Sequence, residues 1–166
     1  MGSPLGKIRL AATALLTTPS TEQHGFALSG LHFVGQKYYP DAANTSSEVA
    51  TQEPLAFLRD VEQILSAYFL SGKEMPRIAL APRGTAFQQA VWQGLLTVKS
   101  GSTITYGQLA ERIGNAAAVR AAAAAVGRNP ISLIIPCHRI IGADGSLTGY
   151  AGGLDRKAQL LALEST

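Results

Sequence analysis

Cysteine is almost missing from this sequence of 166 residues: Cys137 is the only one, and the three histidines lie far apart. A single cysteine excludes an internal disulfide and a zinc site built on several thiolates. Charged residues are also scarce, since they make up 15% of the chain against 46% for apolar residues. That composition excludes a disordered chain and predicts one or two domains with a buried core.

The sequence also lacks an apolar run long enough to span a bilayer, so we expect no membrane partner. The apolar residues 10–16 follow Lys7 and Arg9, but no small-residue cleavage site comes after them. A buried strand therefore explains this segment better than a secretion signal, and a reducing compartment is expected.

Acidic residues are few only in the second half of the chain. Residues 1–84 carry seven basic and seven acidic side chains, whereas residues 85–166 carry seven basic and four acidic ones. The whole formal excess of +3 therefore lies in the second half. A polyanionic partner for that half is consistent with the charge, although so small an excess is a weak signal.

The first half of the chain predicts short strands and one helix. Strands are predicted over residues 7–16 and 27–34, with a bulge or bend at Gly30. Apolar positions at helical spacing predict a helix that opens at Pro54 and ends at residues 71–72. A polar loop and a short strand or extended connection are expected at residues 39–52 and 77–81.

The second half predicts a helical region behind a domain boundary at residues 82–84. Three helices are expected, over residues 86–97, 106–113 and 116–127. Thr85 and Thr105 cap the first two helices. The glycine and asparagine at residues 114–115 form a turn between the last two, which suggests a helix-turn-helix.

The C-terminal part begins with a continuous apolar run at residues 131–135, which is typical of a strand buried on both faces. Pro136 ends this strand, and Asp155 caps a last helix that runs to Glu164. Between them a turn and a glycine-rich loop are expected at residues 143–145 and 148–153.

Cys137 follows Pro136 directly and precedes His138 and Arg139, two basic residues that would lower the pKa of a thiol. A lone cysteine is most often a small buried core residue, but this setting favours a thiolate nucleophile. Neighbouring side chains do not face each other on a strand or a helix, so Cys137 and His138 cannot pair inside regular structure. Either Pro136 starts a tight turn, or a water bridges the thiol and the imidazole.

Two further features each have a plain and a functional interpretation. Glu164 lies at the end of its helix, where the dipole disfavours a carboxylate, so it is either a solvated end or an acid that orients His138.

Residues 116–125 contain eight alanines and Arg120. This pattern fits helix propensity and close core packing, or a smooth surface that enters a DNA groove. Ordinary solvated side chains are an adequate explanation for Arg112, Arg128 and Arg139.

Several motifs mark the second half of the chain: Phe87-Gln-Gln-Ala-Val-Trp92, Ile104-Thr-Tyr-Gly-Gln-Leu-Ala110, Asn129-Pro130 and Ile135-Pro-Cys-His-Arg-Ile-Ile-Gly142. With the loop at 148–153 and the end at 160–164, they resemble the signatures of the O6-alkylguanine-DNA alkyltransferase family. The resemblance covers residues 82–166 closely and residues 1–81 only loosely. A Pro-Cys-His-Arg motif at this distance after Asn-Pro is much more specific than a Cys-His pair.

The resemblance implies an α/β fold in two domains. Residues 1–81 would form a small, ribonuclease H-like antiparallel sheet with helices, and residues 82–166 a mainly helical domain with a helix-turn-helix. The implied function is DNA repair by direct reversal: the alkyl group of a flipped O6-methylguanine, and less of O4-methylthymine, moves irreversibly to Cys137. The implied partner is double-stranded DNA containing O6-alkylguanine, bound by a monomer without cofactor or metal, in the cytoplasm at the nucleoid or in a nucleus.

The family's functional residues carry over to single positions of this sequence. Cys137 is the implied alkyl acceptor, His138 the base that acts through water, and Glu164 the acid that orients it. Tyr106 is implied to bond guanine N3, and Asn129 to tie the recognition helix to the active-site turn. The implied DNA contacts are Arg120, which fills the gap left by the flipped base, with Tyr106, Ala121, Ala125 and Arg128. The implied pocket residues are Tyr150, Ala151, Gly152, Ile140 and Ser132.

Two positions depart from the family pattern. Arg120 is followed by five alanines where the family commonly has Arg-Ala-Val-Gly-x-Ala, and Ser132 replaces a proline of relatives that react well with O6-benzylguanine. Two other functions are alternatives to this one. A non-catalytic protein that binds alkyl lesions would lack the acceptor cysteine, and a cysteine hydrolase needs an oxyanion hole that no motif here locates.

Overall fold

The structure is a computed structural model that describes residues 1–15, 25–39 and 52–165. An antiparallel sheet contains β1 (Gly2–Ser3), β2 (Gly6–Ala14) and β3 (Phe26–Phe33) in that order. Ala11 pairs with Gly30 but Ala12 pairs with Leu28, so β3 carries one extra residue and bulges. The predicted bulge and the two predicted strands are confirmed with slightly shifted boundaries, although Leu16 lies outside the described residues.

The long helix α1 (Gln52–Ser71) packs against β2 of this sheet. Its buried face follows the predicted helical spacing and comprises Phe57, Val61, Leu65 and Tyr68. The helix begins two residues before Pro54. Proline is tolerated there because the first turn of a helix does not use its N–H groups.

The connection from α1 to the second half is extended but is not a strand. Leu80 forms one isolated parallel bridge with Leu28 of β3, and residues 77–81 make no longer ladder. Of the two alternatives for this segment, the extended connection is therefore confirmed. Most of the loop predicted at residues 39–52 lies outside the described residues.

Three helices follow in the second half: α2 (Ala86–Leu95), α3 (Tyr106–Arg112) and α4 (Val119–Gly127). Thr85 and Thr105 each complete a capping box with the glutamine three residues later, which confirms both predicted caps. α4 begins three residues later than predicted because Ala116–Ala118 form a 3₁₀ turn. The side chain of Asn115 makes no capping hydrogen bond there.

The strand predicted at residues 131–135 is wrong. Ile131 makes a single bridge to Leu31, Leu133 has a φ of 70°, and the N–H of Ile135 donates to Ile131 O at 3.0 Å. The segment is a buried turn, and Ile131, Leu133 and Ile135 are at most 1% exposed. An apolar run reports burial but does not distinguish a buried turn from a buried strand.

A two-stranded parallel ladder that the sequence analysis did not predict joins β4 (Ile104–Thr105) to β5 (Ile140–Ile141). The last helix, α5 (Leu154–Glu164), also begins differently from the prediction. Asp155 does not cap it: Gly153, with a φ of 93°, occupies the cap position and Asp155 lies in the first turn. A carboxylate in that turn still interacts favourably with the helix dipole.

One apolar core extends through both halves of the described chain. Leu31 of β3 meets Ile131, and the indole N–H of Trp92 on α2 donates to Ala125 O on α4 at 3.0 Å. The domain boundary at residues 82–84 therefore stays a prediction. Among the described residues, no helix combines the length and apolarity needed to cross a bilayer.

Gly72 allows the C-terminal ends of α1 and α5 to meet. Its φ is 64°, and a Cβ at this position would lie 2.0 Å from the backbone oxygen of Leu163. Neither atom can move without shifting a helix end, because the contact involves backbone. This contact matters for the site below, since Glu164 is the next residue of α5.

We predict that Gly72→Ala destabilises the protein by more than about 2 kcal/mol, through backbone strain and the clash with Leu163. The matched control is Gly127→Ala at the end of α4, where a Cβ meets no atom within 4 Å. That change should leave stability unaltered or raise it by up to about 1 kcal/mol. Urea unfolding checks both, and equal effects of the two substitutions would contradict the role given to Gly72.

Candidate active site

Cys137 begins a 3₁₀ turn, Cys137–Arg139, directly after Pro136. The N–H of Cys137 donates to Ile135 O at 2.8 Å, and Cys137 O accepts from the N–H of Ile140. Of the two alternatives for this segment, the tight turn is confirmed. Within the turn both side chains are buried and have different partners: Cys137 Sγ accepts from Asn129, and His138 bonds to Glu164.

Asn129 holds this turn and the thiol together. Its Nδ2 donates to Ile135 O at 2.8 Å and to Cys137 Sγ at 3.0 Å, while its Oδ1 accepts from the N–H of Ile131 at 3.0 Å. Because Asn129 directly follows the last turn of α4, it connects that helix to the turn that carries Cys137. A buried amide with this many partners is a rigid positioning group.

The carboxylate of Glu164 lies behind the turn and pairs with Arg139. The guanidinium donates from Nε to Oε2 at 2.9 Å and from Nη2 to Oε1 at 2.7 Å, a bidentate pairing. Nη1 of the same arginine donates to Val98 O at 2.5 Å. Arg139 is 5% exposed, so the interpretation as a solvated residue is wrong, as is that of Glu164 as a solvated helix end.

His138 bonds to the same carboxylate, since its Nε2 lies 3.0 Å from Glu164 Oε1. The hydroxyl of Tyr68 on α1 also donates to Oε1, at 2.8 Å. Nε2 must carry the ring proton to donate to a carboxylate, which leaves Nδ1 as an acceptor. Nδ1 is buried and has no hydrogen-bond partner among the described residues.

The electrostatics of this group leave His138 neutral and Glu164 ionised. Burial lowers the pKa of His138 and outweighs the opposing effect of the hydrogen bond to Glu164. Burial alone would raise the pKa of Glu164, but the hydrogen bonds from His138 and Arg139 bring it down to about 2. The buried group of Glu164, Arg139 and His138 therefore carries no net charge at neutral pH.

Burial raises the pKa of the Cys137 thiol to about 11, against the lowering effects of the Asn129 hydrogen bond and the Lys157 charge. Lys157 is completely buried, and its ammonium donates to Ile140 O and, at 2.6 Å, to Thr148 O. The expected lowering of this pKa by His138 and Arg139 is wrong, because burial dominates and neither side-chain charge is among its causes. Sequence reasoning missed Lys157, Tyr68 and the pairing of Arg139 with Glu164. A lysine in the first turn of a helix, where the dipole disfavours a cation, was a usable signal for Lys157.

Two tyrosines flank the thiol. The hydroxyl of Tyr106, at the start of α3, lies 3.4 Å from Thr148 O, and Tyr150 packs edge-on to His138 with ring centroids 6.4 Å apart. The hydroxyl of Tyr150 is buried and unpaired within the described part of the chain. Burial raises the pKa of both phenols, so both are neutral donors.

The other predicted pocket residues belong to the active-site turn, to the loop at residues 148–153 and to the segment after Asn129. Ile140 ends the turn, and Ala151 O accepts from the N–H of Lys37 at 3.0 Å, which ties the loop at residues 148–153 to the first half. Gly152 O accepts from Arg156 Nη1 at 2.7 Å. Ser132 is buried, with its hydroxyl 3.5 Å from Gln36 Oε1.

The alanine-rich helix α4 has two different faces. Arg120, Ala121 and Arg128 are exposed, as a DNA contact requires. Ala125 is 3% exposed and its carbonyl bonds to Trp92, so its prediction as a DNA contact is wrong. Ala125 lies only about 40° around the helix from Ala121, and it is buried because Trp92 of α2 packs against it.

We predict that Glu164→Gln destabilises the protein by about 3–5 kcal/mol at neutral pH, because Arg139 would stay buried without its counter-charge. Despite burial, hydrogen bonds from His138 and Arg139 hold the pKa of Glu164 at about 2 in the folded protein, below its ordinary value of 4.5. The stabilisation is therefore present above about pH 4.5 and is lost as the pH falls towards 2.

Urea unfolding at several pH values checks this, with the exposed Glu111→Gln as control. The wild-type and Glu164→Gln stabilities should converge in acid. A difference that does not narrow there would contradict the charge assignment.

Comparison with known proteins gives one consistent result. Residues 86–166 match the family described as 6-O-methylguanine DNA methyltransferase, DNA binding domain. The chain is 43% identical to the methylated-DNA–protein-cysteine methyltransferase of Mycobacterium tuberculosis over 164 residues, which cover 99% of this chain and 89% of that protein.

Solved structures of the M. tuberculosis protein agree. The crystal structure of its O6-methylguanine methyltransferase superposes with a TM-score of 0.79 at 38% identity, covering 99% of this chain and 90% of that one. The crystal structure of M. tuberculosis OGT in complex with DNA gives 0.77 at 37% identity with the same coverage. Identity at this level over nearly the whole length shows that the chain belongs to the family of methylated-DNA–protein-cysteine methyltransferases.

Proposed function

We propose that this protein repairs DNA by direct reversal, with Cys137 taking the methyl group of O6-methylguanine and, less efficiently, of O4-methylthymine in double-stranded DNA. The observation that carries the proposal is the assembly around the only cysteine. Asn129 orients its sulfur, and His138 presents an Nδ1 that bonds to no other described residue, while Glu164 holds its other nitrogen. This is the nucleophile, base and orienting acid that an activated thiol needs.

The chemistry proceeds in one displacement. The thiol proton passes through a water to Nδ1 of His138, and the thiolate attacks the methyl carbon. The S–C bond forms as the C–O bond breaks, and the electron pair stays on guanine O6. The departing guanine anion takes up one proton, which balances the proton lost by Cys137, so the products are guanine and S-methylcysteine.

The reaction ends with one turnover because the product is a thioether. A thioether sulfur is a poor leaving group, and the sequence holds no second thiol that could remove the alkyl group. The methyl group also enters a packed site between the active-site turn and Tyr150. Overpacking of this kind costs about 1–3 kcal/mol, so the alkylated form melts at a lower temperature.

DNA is bound by α3 and α4 as a helix-turn-helix, with the exposed face of α4 in the minor groove. Small side chains such as Ala121 let that helix approach the bases, and Arg128 adds a phosphate contact beside it. The lesion leaves the stack before its O6 substituent reaches the thiol, and Arg120 fills the gap. Tyr106, a neutral donor near the thiol, bonds guanine N3.

The flipped base lies between residues of the C-terminal domain and the side of the site that faces Gln36 of the N-terminal domain. Tyr150, Ala151 and Gly152 form one wall, and Ile140 lies at its base. Ser132 lines the side near Gln36, where a proline would be more apolar. In this assignment residues 82–166 carry both DNA binding and alkyl transfer, and residues 1–81 form the separate N-terminal domain.

We predict that one protein molecule accepts one methyl group, on the peptide that holds Cys137. Cys137→Ser should bind methylated duplex DNA like the wild type and transfer nothing, because an unactivated hydroxyl is a much weaker nucleophile than a thiolate. Mass spectrometry after titration with excess methylated duplex measures both. Several lesions repaired per chain would indicate a hydrolase-like cycle and sink the mechanism, as would a methyl group on another residue.

We predict that Arg120→Ala slows repair of duplex DNA but spares reaction with free O6-methylguanine base, which needs no flipping. Unstacking a base costs a few kcal/mol, so the loss on duplex should be about tenfold or more. Arg59→Ala on α1 removes the same charge from an exposed site elsewhere and is the control. Single-turnover rates on both substrates check the prediction, and equal losses on both would refute the role of Arg120.

A further inference from the structure

Lys157 is a buried cation that the proposed mechanism does not use. It lies on α5, is completely buried, and its ammonium donates to the backbone oxygens of Ile140 and Thr148. Among the described residues its hydrogen-bond partners are these two carbonyls and include no carboxylate. Burying an ammonium is costly unless a nearby negative charge compensates it, so an anion close to Lys157 would stabilise it.

The two carbonyls belong to the two segments that form the site. Ile140 directly follows the active-site turn, and its N–H donates to Cys137 O. Thr148 begins the loop that carries Tyr150, and its carbonyl also accepts from the hydroxyl of Tyr106. The ammonium thus bonds to the residue that directly follows the active-site turn, and it connects that turn to the pocket loop.

The other charges near the thiol cancel. Glu164 is paired with Arg139, and His138 is neutral. Tyr106 and Tyr150 also face the thiol and are neutral because burial raises their pKa values. Asn129 contributes a dipole but no charge. With Lys157 protonated, the buried site holds a net charge of about +1, which a thiolate at Cys137 would neutralise.

We propose that Lys157 is a positioning residue whose unbalanced positive charge stabilises the Cys137 thiolate and whose hydrogen bonds tie the pocket loop to the active-site turn. The assignment rests on the proposed function only in taking Cys137 as the reacting group. The thiolate forms when the thiol proton moves to His138, and the Lys157 ammonium keeps all its protons. No oxidant or further reactant is involved.

The direction of two pKa shifts agrees with this geometry. The charge of Lys157 lowers the pKa of Cys137, and Cys137 in turn raises that of Lys157, against the burial that brings the lysine down to about 8. The ammonium is therefore present at neutral pH and is lost as the pH rises through about 8. Its support of the thiolate should fade over the same alkaline range.

The test is the rate at which iodoacetamide alkylates the thiol at neutral pH, below the pKa of about 8 at which Lys157 loses its charge, because this rate reports the thiolate fraction. The signal is clean because the chain has one cysteine, and the Cys137→Ser protein is the blank. Lys157→Gln keeps donors for both carbonyls but removes the charge. It should slow the alkylation about tenfold or more, the loss of thiolate that a rise of about one unit in the pKa of Cys137 produces. Lys157→Arg keeps the charge and should stay near the wild-type value. Lys99→Gln, at an exposed position, is the control.

An unchanged alkylation rate in folded Lys157→Gln would overturn the proposal, and so would a slowed one in Lys157→Arg, which remains measurable if Lys157→Gln does not fold. Mass spectrometry of the same variants after mixing with methylated duplex separates the two proposals. A slowed alkylation in Lys157→Gln with the methyl group found away from Cys137 would defeat the proposed function alone. An unchanged alkylation rate with the methyl group on Cys137 would defeat only the role of Lys157.

Discussion

The carboxylate of Glu164 is the group on which the site depends. It accepts hydrogen bonds from Tyr68 on α1 and from His138 and Arg139 in the active-site turn. A carboxylate buried without such donors would be prohibitively costly, so the burial of Glu164 requires α1, the active-site turn and α5 to be in place together. The close contact of Gly72 with Leu163 brings the ends of α1 and α5 near enough for this to happen.

Pairing Glu164 with Arg139 has a consequence for the thiol. It leaves His138 neutral, with one nitrogen free to accept a proton, and it leaves Lys157 as the cation that no carboxylate matches in the described site. Burial at the same time keeps the resting Cys137 protonated, since its pKa is about 11. A protonated, buried thiol reacts only slowly with electrophiles in solution, whereas the proposed roles of His138 and Lys157 promote its ionisation when a substrate enters the pocket.

The alanine-rich helix satisfies two demands at once. On its inner face, Ala122 and Ala125 let α4 approach α2 closely enough for Trp92 to reach a backbone carbonyl. On its outer face, the same lack of side chains leaves Arg120 on a smooth exposed surface. Core packing and the proposed groove-binding surface, which looked like alternatives in the sequence, are therefore compatible on two sides of one helix.

The sequence by itself determined most of the local elements and pointed to the proposed reacting group. The capping threonines, the bulge at Gly30 and the turn after Pro136 depend on neighbours in the chain, and the Pro-Cys-His-Arg motif points to Cys137 directly. Tertiary structure decided the rest. Whether residues 131–135 form a strand or a turn depends on the packing partner, because hydrophobicity records burial and not backbone conformation. The roles of Arg139, Lys157 and Tyr68 depend on contacts between distant segments, and only folding brings their charges and hydroxyls within hydrogen-bond distance of one another.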